Sequence, residues 1–297
     1  MDSSRWDGFA FRDGDIVIST PPKCGTTWTQ MICALLIFQS TEFPRPLDEM
    51  SVWPDALFRP HDDLLAELAA QRHRRFMKTH TPFDGLPHDD RVTYICVGRD
   101  PRDTAISFDN HVKNTDPDAA TAVRAAAVAR GDVAEASPGG RAAPMPEGPG
   151  SARHRFWGWI YNDEDVVVGL PAMLRLLDSF WRARHQPNVV LLHYAAMKAD
   201  LDGTMRGLAT QLGIEIPEER WPELVRAAGF DQMKSRAKEL APEIDAWRDP
   251  SRFFNRGSNG QWRDLLDAKD LRHYELRVRD LADPDLVTWL HQGSPLS

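Results

Sequence analysis

A chain of 297 residues has room for one large α/β domain or two small ones, with enough interior for a sizeable core. Its 42% hydrophobic and 27% charged content is ordinary for a globular protein. A formal net charge of -8 argues against a general nucleic-acid surface, so any anion site has to be local.

The polar, acidic opening "MDSSRWDGFAFRDGD" has no signal-peptide pattern, and "ICALLIF" is too short to span a bilayer. Cys24, Cys33 and Cys96 show no C-x-x-C or zinc spacing, which points to a reducing compartment. The expected location is cytoplasmic.

The first predicted strand is "DIVIS" (15–19), and the helical spacing of "WTQMICALLIF" (28–38) follows it. Between them "TPPKCGTT" forms a tight loop before a helix N-terminus, with Lys23 as a nearby point charge. That arrangement suits a phosphate-like anion. An ordinary turn hinged at Gly25 reads equally well here.

An amphipathic segment at 61–72 leads to "RFMKTH" (75–80), a second strand that puts Lys78 and His80 on one side. A lone histidine is usually structural. His80, just past an apolar run and between two threonines, is also suited as a neutral imidazole to take a proton from a hydroxyl. "VTYICVG" (92–98) is the third strand and runs into "GRDPRDTAISF", where amphipathic spacing resumes at 101–112. Arg99 offers the guanidinium fork that suits phosphate, and Ser107 lies two helical turns further on. The plainer alternative pairs Arg99 with Asp100 or Asp103, leaving Asp103 and Arg102 as structural partners.

Residues 117–150 are rich in Ala, Pro and Gly, which predicts a short helix near 119–130 and then a flexible insertion. It is either a passive linker or a lid. Amphipathic segments at 155–164, 170–185 and 197–211 surround a fourth strand, "NVVLLHY" (188–194). "FFNRGSNGQW" (253–262) closes the series as a basic, glycine-containing loop, either an anion cradle or a surface turn. Strands alternating with helices predict a single α/β domain over 1–297, with a mostly parallel central sheet and helices on both faces. Ligands in such sheets bind beyond the C-terminal strand ends, where these polar stretches fall.

Together "PPKCGTTW", "KTHTPF", "GRDPRDTAIS" and "FFNRGSNGQW", in this order, resemble the cytosolic-type sulfotransferases, with "MKADLDGTMRGLATQLGI" as a further family-like stretch. The resemblance covers roughly residues 5 to 280. It implies transfer of a sulfuryl group from 3′-phosphoadenosine 5′-phosphosulfate (PAPS, leaving PAP) to a hydroxyl acceptor, small or lipid-linked, with no metal. It further implies a P-loop-like phosphosulfate loop made by Lys23, the backbone of Cys24 and Gly25, and Thr26 and Thr27. Trp28, Tyr194 and Phe230 would flank the adenine. Arg99 and Ser107 would hold the 3′-phosphate with Asn255, Arg256 and Gly257. His80 would be the general base, Lys78 would stand beside it, and Lys23 would stabilise the leaving phosphate.

The chain departs from the family pattern at Cys24, usually serine, and at Ala195 and Ala196, usually acidic. Asn255 and Arg256 stand where animal members commonly have Arg-Lys. No dimerisation motif is recognisable after Trp262, and 117–150 has no clear counterpart. The acceptor pocket is expected from Phe83, Phe108, the 108–115 region and part of 117–150. The competing readings are a P-loop-related kinase, which lacks its G-x-x-x-x-G-K-[ST] pattern here, and a nucleotide-binding scaffold without turnover.

Overall fold

The computed structural model describes residues 2–57, 59–131, 150–241 and 247–293. The proposed insertion therefore falls into two parts: Pro117–Ala129 is a helix, and 132–149 lies outside the described residues.

Four strands form one sheet: β1 (Ile16–Ser19), β2 (Phe76–Thr79), β3 (Thr93–Gly98) and β4 (Val189–His193). Their order is β2-β1-β3-β4 and every pairing is parallel, with Ile16 opposite both Phe76 and Thr93. The helices are α1 (Thr26–Phe38), α2 (Leu47–Met50), α3 (His61–Ala70), α4 (Pro101–Lys113), α5 (Pro117–Ala129), α6 (Ala152–Ile160) and α7 (Leu170–Ala183). They continue with α8 (Tyr194–Ala199), α9 (Leu201–Gln211), α10 (Trp221–Ala228), α11 (Phe230–Ser235), α12 (Ala237–Leu240), α13 (Ala268–Arg279) and α14 (Pro284–Gln292).

Successive strand side chains point to opposite faces, and here each face meets its own core. Ile16, Ile18, Phe76, Ile95 and Val97 pack with α1, α9 and α10. Val17, Met77, Tyr94 and Cys96 pack with α4, α6, α7, α13 and α14. A sheet buried on both faces favours apolar strands, and β1 and β2 are buried along their whole length, Lys78 and Thr79 included. Helix α7 shows how the cover is made: Leu170, Met173, Leu174, Leu177 and Phe180 recur at helical spacing and are all buried. Each such side chain is worth roughly 1.5–3 kcal/mol relative to an exposed one.

The segment expected as one helix over 197–211 is two. Asp200 leaves helical geometry at φ -143 and ψ 83, and its carboxylate accepts from the Gly203 amide to start α9 afresh. A short acid that caps a new helix outcompetes continuation of the old one. At the far end of the sheet, buried Arg75 pairs bidentately with Asp15 and ties the start of β2 to the start of β1. The chain leaves β1 towards β2 and leaves the neighbouring β3 towards β4, in opposite directions, so a crevice opens at the C-terminal ends of β1 and β3.

Candidate active site

That crevice is a cleft of about 290 Å³, lined by residues from all four strand ends and the 253–262 loop. The loop after β1 enters α1 through two left-handed residues, Lys23 at φ 70 and Gly25 at φ 110. Gly25 meets a steric need as well, since a Cβ there would sit 3.2 Å from the Tyr194 ring. Lys23 has no such freedom, and a lysine held in this region stores about 1–2 kcal/mol of strain. Among the described residues no side chain caps the N-terminus of α1, where Gly25, Thr26 and Thr27 line the cleft.

The Lys23 ammonium lies 3.4 Å from His111 Nδ1 and 5.1 Å from the centre of the Phe253 ring. Burial, then the neighbouring Arg99 charge, lowers its pKa to about 8. Lys78, at the end of β2, sits over Trp53 at 4.9 Å, and burial lowers it to about 8 as well.

His80 is held on three sides. Its Nδ1 lies 2.5 Å from the Thr20 carbonyl, and Trp53 meets the ring edge-on at 5.0 Å. The hydroxyls of Thr79 and Thr81, on either side of it in sequence, donate to buried Asp55 at 2.6 and 2.5 Å. A carbonyl has no proton to give, so Nδ1 carries the hydrogen and Nε2 keeps its lone pair. Burial, with the nearby Lys78 charge, lowers the His80 pKa to about 4, and the imidazole is a free base at neutral pH.

Arg99 bridges two loops. Its guanidinium donates to the Lys23 carbonyl at 2.9 Å and to the Ser258 carbonyl at 3.4 Å, and stacks 4.1 Å above Tyr194. Neither nearby acid pairs with it: Asp100 binds Arg102, while Asp103 accepts the Gly260 and Gln261 amides at 2.7 and 2.8 Å. Arg99 Nε is buried with no partner among the described residues. An unspent buried donor of this kind costs roughly 1–3 kcal/mol until an acceptor arrives.

Ser107, Asn255, Arg256 and Gly257 line the same cleft. Trp28 and Tyr194 meet edge to face at 5.3 Å. Phe230 lies so close under Gly257 that a Cβ there would fall 2.3 Å from its ring. All the expected site side chains therefore converge except one. Cys24 turns its thiol into the core towards Thr104 Oγ1 at 3.7 Å, and burial pushes its pKa up to about 11. Only its backbone faces the loop's task, which explains why a thiol is tolerated there.

The expected acceptor walls need correcting. Phe83 packs against Phe180 and Tyr94, and Phe108 is buried in the same core; neither lines the cleft. The walls near His80 are Trp53, His111, Thr115, Trp247 and Phe253. His111 was within reach of sequence reasoning, because it follows Ser107 by one helical turn on the same face of α4. Trp53 and Trp247 sit in irregular segments with no period to betray them.

An uncapped helix N-terminus, a lysine of lowered pKa, an arginine with an unspent donor and three aromatic rings fit a nucleotide bearing two anionic groups. A family model described as "Sulfotransferase domain" matches residues 13–282. The chain belongs to the sulfotransferase family.

This sulfotransferase is 42% identical to a glycolipid sulfotransferase of Mycobacterium bovis, the match covering 98% of this chain and 92% of that one. A luciferin sulfotransferase of Photinus pyralis is 24% identical over 76% of this chain and 58% of its own. Among solved structures, a mouse sulfotransferase complexed with PAP superposes with a TM-score of 0.71 at 19% identity, covering 98% of this chain and 91% of that one. Retinol dehydratase with retinol and PAP gives 0.69 at 20% identity, covering 94% and 84%. These two speak to the fold. PAPS is the donor of the family, and the reaction of the sulfotransferase is sulfuryl transfer from it.

The charges of the site set an expected pH profile for kcat/KM, which reports the free enzyme. His80 is half protonated only at about 4, whereas Lys23 and Lys78 have each lost half their protons by about 8. If these groups act as the family resemblance implies, the profile is expected to be flat from roughly pH 5 to 7 and to fall through pH 8. An acid limb centred near 6.5 would show that the base is not His80 in this environment. Stability has the matching sign. The unfolded chain takes up a proton below 6.5 that folded His80 refuses until about 4, so stability rises with pH across that window.

Proposed function

We propose that this sulfotransferase acts on a hydroxyl of a sugar-bearing, amphipathic lipid. The observation that carries this reading is the aromatic mouth of Trp53, Trp247 and Phe253 beside His80, a surface suited to an apolar body with a polar end. The 42% identity to a glycolipid sulfotransferase supports it. Among the described residues no helix is long and apolar enough to cross a membrane, so such an acceptor would be met from the aqueous side.

In this reading Lys23 and the first-turn amides of α1 hold the 5′ end of the donor. Arg99 with its unspent Nε, Ser107, Asn255, Arg256 and Gly257 hold the 3′-phosphate, and Trp28, Tyr194 and Phe230 hold the base. When bound, PAPS supplies the activated sulfuryl group. His80 Nε2 takes the proton of the acceptor hydroxyl, and Lys78 adds positive charge beside it. Lys23 is already in place where negative charge grows on the leaving side.

Two measurements test this. Labelled sulfate from PAPS should appear on a glycolipid bearing free sugar hydroxyls. PAP at a hundredfold excess over its Kd should stabilise the fold by about 2.7 kcal/mol, and ATP, which has no 3′-phosphate, by much less. Equal stabilisation by ATP and PAP would sink the assignment of Arg99 and Ser107.

A further inference from the structure

Two neutral imidazoles line the cleft, and their hydrogen bonds fix them in opposite tautomers. His80 gives its Nδ1 hydrogen to the Thr20 carbonyl and keeps a lone pair on Nε2. His111 faces the Lys23 ammonium at 3.4 Å, and an ammonium can only donate. Nδ1 of His111 is therefore the acceptor, and the ring hydrogen sits on Nε2. Burial, reinforced by Lys23 and His80, holds the His111 pKa well below its usual value, so the ring does not become a double donor near neutral pH. Among the described residues nothing bonds that Nε2, while Trp247 packs edge-on at 5.1 Å and keeps the ring from turning freely. One site thus offers a hydroxyl-proton acceptor and, separately, a fixed N–H donor.

We propose that His111 is a specificity-determining residue whose Nε2–H donates to a hydroxyl neighbouring the one that is sulfated. The site would then select the paired hydroxyls of a sugar headgroup over an isolated hydroxyl. This rests on the glycolipid reading above and deepens it. An isolated alcohol satisfies His80 alone and gives the His111 donor no partner. A sugar satisfies both, with its C–H face against Trp53 or Trp247. A neutral hydrogen bond of this kind is worth roughly a fivefold to tenfold preference.

The test compares octyl glucoside with 1-octanol, which share an alkyl chain and differ in the sugar. The ratio of their kcat/KM values is measured with PAPS, and the Kd of octyl glucoside is measured in the enzyme–PAP complex, where no chemistry occurs. His111→Ala is expected to lower the ratio at least about fivefold and to weaken that Kd by a similar factor, and His111→Gln, which keeps a donor, to restore much of both. Monodeoxy octyl glucosides provide the same test on intact protein: one of them should lose the same factor with wild-type enzyme and little further with His111→Ala. A wild-type preference for the glucoside that survives His111→Ala, with no deoxy analogue penalised, overturns the role of His111 alone. Both acceptors falling together also overturns it, since His111 would then act through Lys23. A wild-type enzyme with no preference for the glucoside overturns the glycolipid reading as well.

Discussion

His80→Ala is expected to reduce kcat by about 10²–10⁴-fold while leaving PAP affinity within about threefold. In the proposed reading the imidazole takes the acceptor proton through Nε2, while its Nδ1 is held by the Thr20 carbonyl and not by the residues proposed to hold the donor. Its ring is anchored from behind by the Thr20 carbonyl and from the side by Trp53. Removing it leaves a space that Trp53 and Lys78 border, so the fold should survive. The split between kcat and PAP binding is the informative result. Parallel loss of both would mean that His80 organises the β1 loop through Thr20, and near wild-type turnover would place the base elsewhere. Product analysis by mass on a glycolipid acceptor, with PAP affinity measured by calorimetry, separates these outcomes.

Lys23→Ala is expected to behave differently, raising the KM for PAPS and lowering kcat together, with kcat down about 10²–10³-fold. In the proposed reading its charge would meet the donor in the ground state and more negative charge on the leaving side as transfer proceeds, so both parameters would depend on it. Lys23→Arg is not expected to rescue. The guanidinium is broader, the backbone is left-handed at this residue, and Phe253 and His111 already flank the ammonium. Relief of the strained φ offers a control: Lys23→Gly should match Lys23→Ala in activity yet be more stable, because glycine accepts this geometry without cost. Unchanged donor affinity and rate in Lys23→Ala would remove the residue from the mechanism.

Much of the scaffold was legible because its signal is local. The four strands are short runs that are mostly apolar and end in polar residues, and the structure places each within a residue of the sequence reading at both ends. That the residues expected to hold the donor line one cleft was legible for a related reason: most of them lie in four short stretches, with Tyr194 and Phe230 outside them, and the family resemblance joined those stretches. The acceptor side was not. Phe83 follows a strand as an acceptor residue would, yet the one-turn helix Phe83–Gly85 swings it into the core against Phe180. Trp53 and Trp247 reach the cleft from coil, where side-chain direction depends on tertiary contacts that no periodicity encodes. The break at Asp200 was visible only as one acid inside an amphipathic pattern, and its capping geometry decided the outcome.

The strand order β2-β1-β3-β4 sets His80, the Lys23 loop, Arg99 and Tyr194 at the ends of four successive neighbours. Adjacent strands lie about 4.8 Å apart, a distance dictated by peptide geometry and by no particular side chain. The groups proposed to hold the donor and carry the transfer are therefore spaced on a ruler that surface change can hardly alter. The groups that would recognise the acceptor are mounted elsewhere, on coil and on one face of α4. Lineages built on this plan are free to exchange one acceptor for another by altering those attachments, while the spacing of the reacting groups is inherited unchanged.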